Sequence, residues 1–156
     1  MSRNKGFTLI ELMIVIAIFA VLAGITAPMF LQWRDRTKVS GDATELRAVF
    51  EMAKMRAIKH NTNTIVSFPN TTSYRAFVDT NNNGAWDAGE DIFAERVLSP
   101  GVTITVNTFA GNDMAFNPRG MANGPASTGT ITMRSPGGER YSVVVSSFGR
   151  VRMQRL

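Results

Sequence analysis

The first periodicity in the chain is the absence of one. Residues Phe7 to Phe30 form a run of 24 positions in which Glu11 is the single charge, diluted only by a few small or hydroxylated residues. Such a run is long enough to cross the hydrocarbon core of a bilayer. From Val39 a different pattern begins. Val39, Ala43, Leu46, Phe50, Ala53 and Ala57 recur at alternating spacings of four and three, which places them on one face of a helix. The pattern predicts a transmembrane helix over 7–30 and an amphipathic continuation over 31–61, whose stripe packs onto whatever follows. It lasts under three heptads, too short to favour a coiled coil. A helix from Phe7 to His60 would be about 80 Å long. Pro28 and Gly41 are its expected weak points.

After Asn61 the period shortens to two. Short runs rich in Val, Ile, Thr and aromatic residues are separated by Gly, Pro, Asn and Ser. Strands are expected at 64–68, 74–78, 92–98, 102–106, 114–116, 130–133, 141–146 and 151–154. The segment Gly120 to Gly129, with three Gly and one Pro, reads as a mobile surface loop. No internal repeat is present. The expected fold class is α+β, one long N-terminal helix packed on an antiparallel sheet head occupying 62–156.

Composition narrows the chemistry. The 156 residues include no Cys, which removes disulfides and thiol catalysis. The one histidine, His60, stands where the helix should end, a place where imidazole interacts favourably with the last carbonyls. There is no phosphate-binding glycine loop and no recognisable catalytic triad, so an enzyme is not expected. The net charge of +5 is unevenly spread. From Asp79 to Glu95 there are five acidic residues and no basic one, whereas Arg119 to Leu156 holds six Arg against Glu139 alone.

The N-terminus carries a further pattern. Met1 to Gly6 is a polar leader with Arg3 and Lys5, and Arg34, Arg36 and Lys38 follow the apolar run, so charge bias leaves orientation open. A secretory signal has its small-residue cleavage site after the apolar region, but here Lys5-Gly6-Phe7 lies ahead of it. Cleavage there would keep the hydrophobic segment. The stretch KGFTLIELMIVIAIFAVLAGITAP resembles the N-terminus of type IV prepilins and type II secretion pseudopilins. That resemblance implies cutting after Gly6 by a prepilin peptidase, N-methylation of Phe7, and pairing of Glu11 with the α-amine of a neighbouring subunit. A carboxylate within an apolar span needs such a partner, or else snorkels to the surface. The resemblance also implies a single-pass inner-membrane precursor with a periplasmic head, later assembled with other pilins into a pilus or pseudopilus. The helix passage LRAVFEMAKMRAIKHN and the closing SVVVSSFGRVRMQ are similar to the FimT/GspH class of minor pilins and pseudopilins.

Two segments of the head carry candidate sites. DTNNNGAWDAGE satisfies a twelve-residue calcium loop: Asp79, Asn81 and Asn83 at positions one, three and five, Gly84 at six, the Ala85 carbonyl at seven, Asp87 at nine and Glu90 at twelve. Its flanks read as strands, so the expectation is a Ca2+ loop without the paired helices of an EF-hand. A soluble Asn/Gly turn is the alternative. At the C-terminus, alternation puts Arg150 and Arg152 on one face of a strand, with Arg155 as an expected extension. The run Gly149-Arg150-Val151-Arg152 is similar to a GRxR motif implicated in DNA binding among DNA-uptake members of the FimT group. This resemblance implies a backbone-led, non-specific contact to double-stranded DNA. The competing reading is an edge strand whose charges prevent pairing, or a contact to acidic neighbours in a filament.

The resemblance implies three candidate functions: a minor pilin or pseudopilin that initiates or caps a filament, a DNA-capture receptor for transformation, and a main fibre subunit. The chain lacks the C-terminal cysteine pair common in major pilins, which argues against the last.

Overall fold

The computed structural model of the chain describes residues 7–123 and 128–156, and only the backbone of Ala27 and Pro28. The leader with Gly6, the bending role expected of the Pro28 ring, and the middle of the loop expected at 120–129 lie outside the described residues.

One unbroken α-helix, α1, spans Leu9–His60. Contacts divide the chain into two compact units, one ending at Arg34 and one from Asp35 to Leu156. In the first unit the apolar side chains are exposed, including Phe7, Leu9, Ile16, Phe19 and Leu22, and the helix is long and apolar enough there to cross a membrane. In the second unit the expected stripe is the core. Val39, Ala43, Leu46, Phe50, Ala53 and Ala57 are all completely buried. Phe50 is the hub, with the rings of Phe68, Phe109 and Phe116 at 6.3, 6.0 and 6.3 Å. These spacings suit edge-on aromatic contact. Asp42 is also buried, and its carboxylate accepts hydrogen bonds from the Ser99 amide at 3.0 Å and the Ser99 hydroxyl at 2.9 Å.

Among the described residues nine strands follow: β1 Asn63–Asn70, β2 Ser73–Asp79, β3 Ile92–Val97, β4 Thr103–Asn107, β5 Asp113–Phe116, β6 Ala122–Asn123, β7 Gly129–Arg134, β8 Arg140–Val145 and β9 Val151–Arg155. Eight lie where alternation places them. The ninth, β6, has two residues and falls inside the segment read as a loop, since two residues cannot display a period. The expected antiparallel head is divided into two sheets, one ordered β3-β2-β1-β5-β6 and one ordered β4-β7-β8-β9. Both contribute to one core: Val66, Tyr74 and Ala76 from the first, Ile131, Met133, Val143, Val145 and Val151 from the second.

The sheets meet where β6 approaches the β8–β9 turn. The Ala122 amide donates to the Ser147 carbonyl at 3.1 Å. A Cβ added to Gly149 would stand 2.0 Å from the Gly120 carbonyl oxygen, and Gly149 also has φ of +69°. Neither the contact nor the conformation admits a side chain readily.

Candidate functional site

The N-terminal site is built by the start of α1. Thr8 precedes the first helical residue, and its amide and hydroxyl both donate to Glu11 Oε2 at 2.8 Å. The Glu11 amide donates back to Thr8 Oγ1 at 3.3 Å. This reciprocal capping box satisfies helix amides that would otherwise be unpaired. Thr8-x-x-Glu11 is a readable signature of it, overshadowed in the sequence by the isolated charge of Glu11. Phe7 is almost fully exposed.

The loop after β2 folds as a closed hydrogen-bonded unit. Asp79, buried at the end of β2, accepts the amides of Asn83 at 3.2 Å and Gly84 at 3.0 Å. Asn81 and Asn83 both donate side-chain NH2 groups to Asp87 Oδ2, at 2.7 and 2.6 Å. Asn83 Oδ1 accepts the Ala85 amide at 2.8 Å. Glu90 accepts the Thr80 amide at 2.8 Å through one oxygen and the Asp87 amide at 3.1 Å through the other. The side chains at positions one, three, five, nine and twelve are therefore knit into one network. All are hard oxygen donors, which suits calcium. Among the described residues, however, no three carboxylates converge closely enough to hold a metal ion in this arrangement. Trp86 anchors the loop, lying 4.9 Å from the guanidinium of Arg75, which itself makes two hydrogen bonds to Glu95 at 3.0 and 2.7 Å.

The C-terminal arginines divide between two faces. Val151 is in the core and Met153 packs against it, so Arg152 projects the other way, and Arg150 at the foot of β9 is in phase with it. Both are exposed. Arg155 departs from the expected patch. It is in phase with Val151 and Met153, stands opposite Tyr141 in register, and makes hydrogen bonds of 3.1 and 3.0 Å to the two oxygens of Glu139. Tyr141 belongs to the core-facing side, where a hydrogen bond with Arg36 holds its phenol below the ordinary value against the opposing effect of burial. The glycine of the motif is structural. Its carbonyl accepts Lys54 Nζ at 3.0 Å, and its bare Cα lets the turn touch Gly120.

The profile of the family described as type II transport protein GspH matches residues 42–149, over half the chain. The chain belongs to the GspH family. A second profile, the prokaryotic N-terminal methylation motif, matches residues 1–27. This GspH-family chain is 31% identical over 162 aligned positions to the pilin-like protein PilA1 of Thermus thermophilus, covering 97% of this chain and 99% of that one. The major pilin PilA of Myxococcus xanthus is 50% identical over 52 residues, which are only 24% of that protein. Among solved structures, the minor pilin FimU of Pseudomonas aeruginosa superposes with a TM-score of 0.59 at 15% identity, covering 78% of this chain and 92% of FimU. The minor pseudopilin EpsH of Vibrio cholerae superposes with a TM-score of 0.57 at 14% identity, covering 76% and 97%. These likenesses bear out the α+β pilin fold read from the sequence. They place the chain with the type IV pilins and pseudopilins, whose members are structural subunits rather than enzymes.

Proposed function

We propose that this chain is a minor subunit of a type IV pilus or type II secretion pseudopilus, placed where the filament is initiated or capped. In this reading the precursor sits in the inner membrane with its head in the periplasm. Prepilin peptidase cuts after Gly6, Phe7 becomes the methylated terminus, and Glu11 moves from its own Thr8 cap to the α-amine of a neighbouring pilin. The observation that carries the reading is the combination of a methylation-motif match over 1–27 with a GspH match over 42–149 on one chain. Coexpression with prepilin peptidase tests it. The expected product starts at Phe7 by mass spectrometry, persists as precursor when Gly6 is replaced by a bulky residue, and occurs in sheared filaments at far lower copy number than the main subunit. An uncut precursor would remove the foundation of this assignment.

DNA capture is the second reading, favoured by one feature: Arg150 and Arg152 share an exposed face while the tail's single acidic side chain, Glu139, is engaged by Arg155 on the other. Two unneutralised guanidiniums on one face suit phosphate oxygens. Calcium in the 79–90 loop is a third element of the proposal, supported by the donor set of Asp79, Asn81, Asn83, Asp87 and Glu90, with the Ala85 carbonyl completing it. Binding there would tie β2 to β3 in a head that has no disulfide.

A further inference from the structure

Strand register extends the arginine pair across a whole sheet face. Ile131, Met133, Val143, Val145 and Val151 point into the core, so the alternate residues of β7, β8 and β9 form the outer face of the four-stranded sheet. Those residues are Thr130, Thr132 and Arg134 on β7, Arg140, Ser142 and Val144 on β8, and Arg152 and Gln154 on β9. No carboxylate is among them. Arg134 and Arg140 stand directly opposite each other in the ladder, and both are exposed. Like charges in that relation are destabilising. Between this pair and Arg152 lies a strip of small polar residues, in which the buried Thr132 and Ser142 hydroxyls bond each other at 2.9 Å. Arg152 pairs with Val144, four residues along β8 from Arg140. That separation is about 13 Å at ~3.3 Å per residue. A duplex presents one phosphate per ~1.7 Å of axis, so the two basic ends of the face can reach different phosphates of one molecule.

We infer that the two basic ends of this outer face, on either side of the buried Thr132–Ser142 pair, together bind the phosphate backbone of double-stranded DNA, with Arg134 and Arg140 as a second arm beside Arg150 and Arg152. It rests on the DNA-capture reading and deepens it. The cross-strand arginine pair is tolerated in the free protein and neutralised by phosphates in the complex. Contact is to the backbone and independent of base sequence.

The experiment uses the full-length chain in detergent micelles and a short mixed-sequence duplex, with affinity measured by fluorescence anisotropy at rising salt. Four phosphate contacts predict a log–log salt slope near about −3.6, and the Arg134→Ala/Arg140→Ala variant should flatten it by ~1.8. That variant should bind at least about tenfold more weakly at low salt, while its melting temperature stays the same or rises as the repulsion is relieved. Arg134→Lys/Arg140→Lys keeps both charges and should retain most of the slope. An unchanged slope in the alanine variant, alongside loss of binding in Arg150→Ala/Arg152→Ala, overturns the inference and leaves the capture reading intact. A wild-type chain that binds no duplex at low salt overturns both. If the alanine variant keeps its slope but fails to enter filaments, the face belongs to an acidic neighbouring subunit and the inference fails.

Discussion

Gly149 answers two demands that pull on the same atom. Its φ of +69° and the 2.0 Å gap that a Cβ would leave to the Gly120 carbonyl oxygen make it a structural residue in the middle of a sequence motif whose arginines suggest binding. Gly149→Ala should therefore destabilise the head by roughly 1–3 kcal/mol through backbone strain and a displaced turn. A thermal melt of the full-length protein in micelles measures this, and an unchanged midpoint would show that the turn yields. The consequence for function is indirect, since Arg150 and Arg152 keep their charge but lose the fixed hairpin that presents them. Spacing along the strand was enough to pair Arg150 with Arg152 and, read strictly, to exclude Arg155, which is out of phase with them. The Glu139 partner that confirms this placement belongs to the turn before β8.

At the scale of elements, α1 was the most readable feature, because every residue of its stripe recurs at helical spacing and every one is fully buried. Phe50 is the strongest test of that packing. Truncating it to Ala removes a ring shared by Phe68, Phe109 and Phe116 and should cost about 3–5 kcal/mol. A loss of that size is a large part of the ~5–15 kcal/mol that holds an ordinary domain together. Limited proteolysis should find the Phe50→Ala head much more sensitive than Met52→Ala, whose side chain on the same helix is exposed. Equal resistance of the two variants would contradict the hub assigned to Phe50. Strand boundaries were nearly as legible as the helix, with β1 predicted at 64–68 and found at Asn63–Asn70. Asp42 was not legible: a helix carboxylate between apolar neighbours reads as solvated until Ser99, far along the chain, supplies its partners.

For the whole molecule, the loop between β2 and β3 couples local chemistry to global stability. If calcium binds there, titration of the full-length chain should release heat and raise the melting temperature, by about 2.7 kcal/mol of stabilisation at roughly a hundredfold excess over Kd. Asp79→Asn combined with Glu90→Gln should abolish both signals. Absence of heat together with an unchanged melting temperature would sink the site. The pattern of the loop was complete in the sequence because all its donors lie within twelve consecutive residues, and the methylation-motif terminus and the Thr8–Glu11 cap are equally local. Spacing likewise determined which segments are helix or strand and which end is apolar enough for a membrane. What only the tertiary structure decided is the company each strand keeps. β1 lies between β2 and β5, and β4 pairs with β7, so the nine strands of the described residues form two sheets. Those pairings join residues distant in sequence and are selected by burying both sheets against the same helix stripe, a choice that no local period encodes. The outer face that carries Arg134, Arg140 and Arg152, and the opposite face that takes Arg155, exist only through that choice.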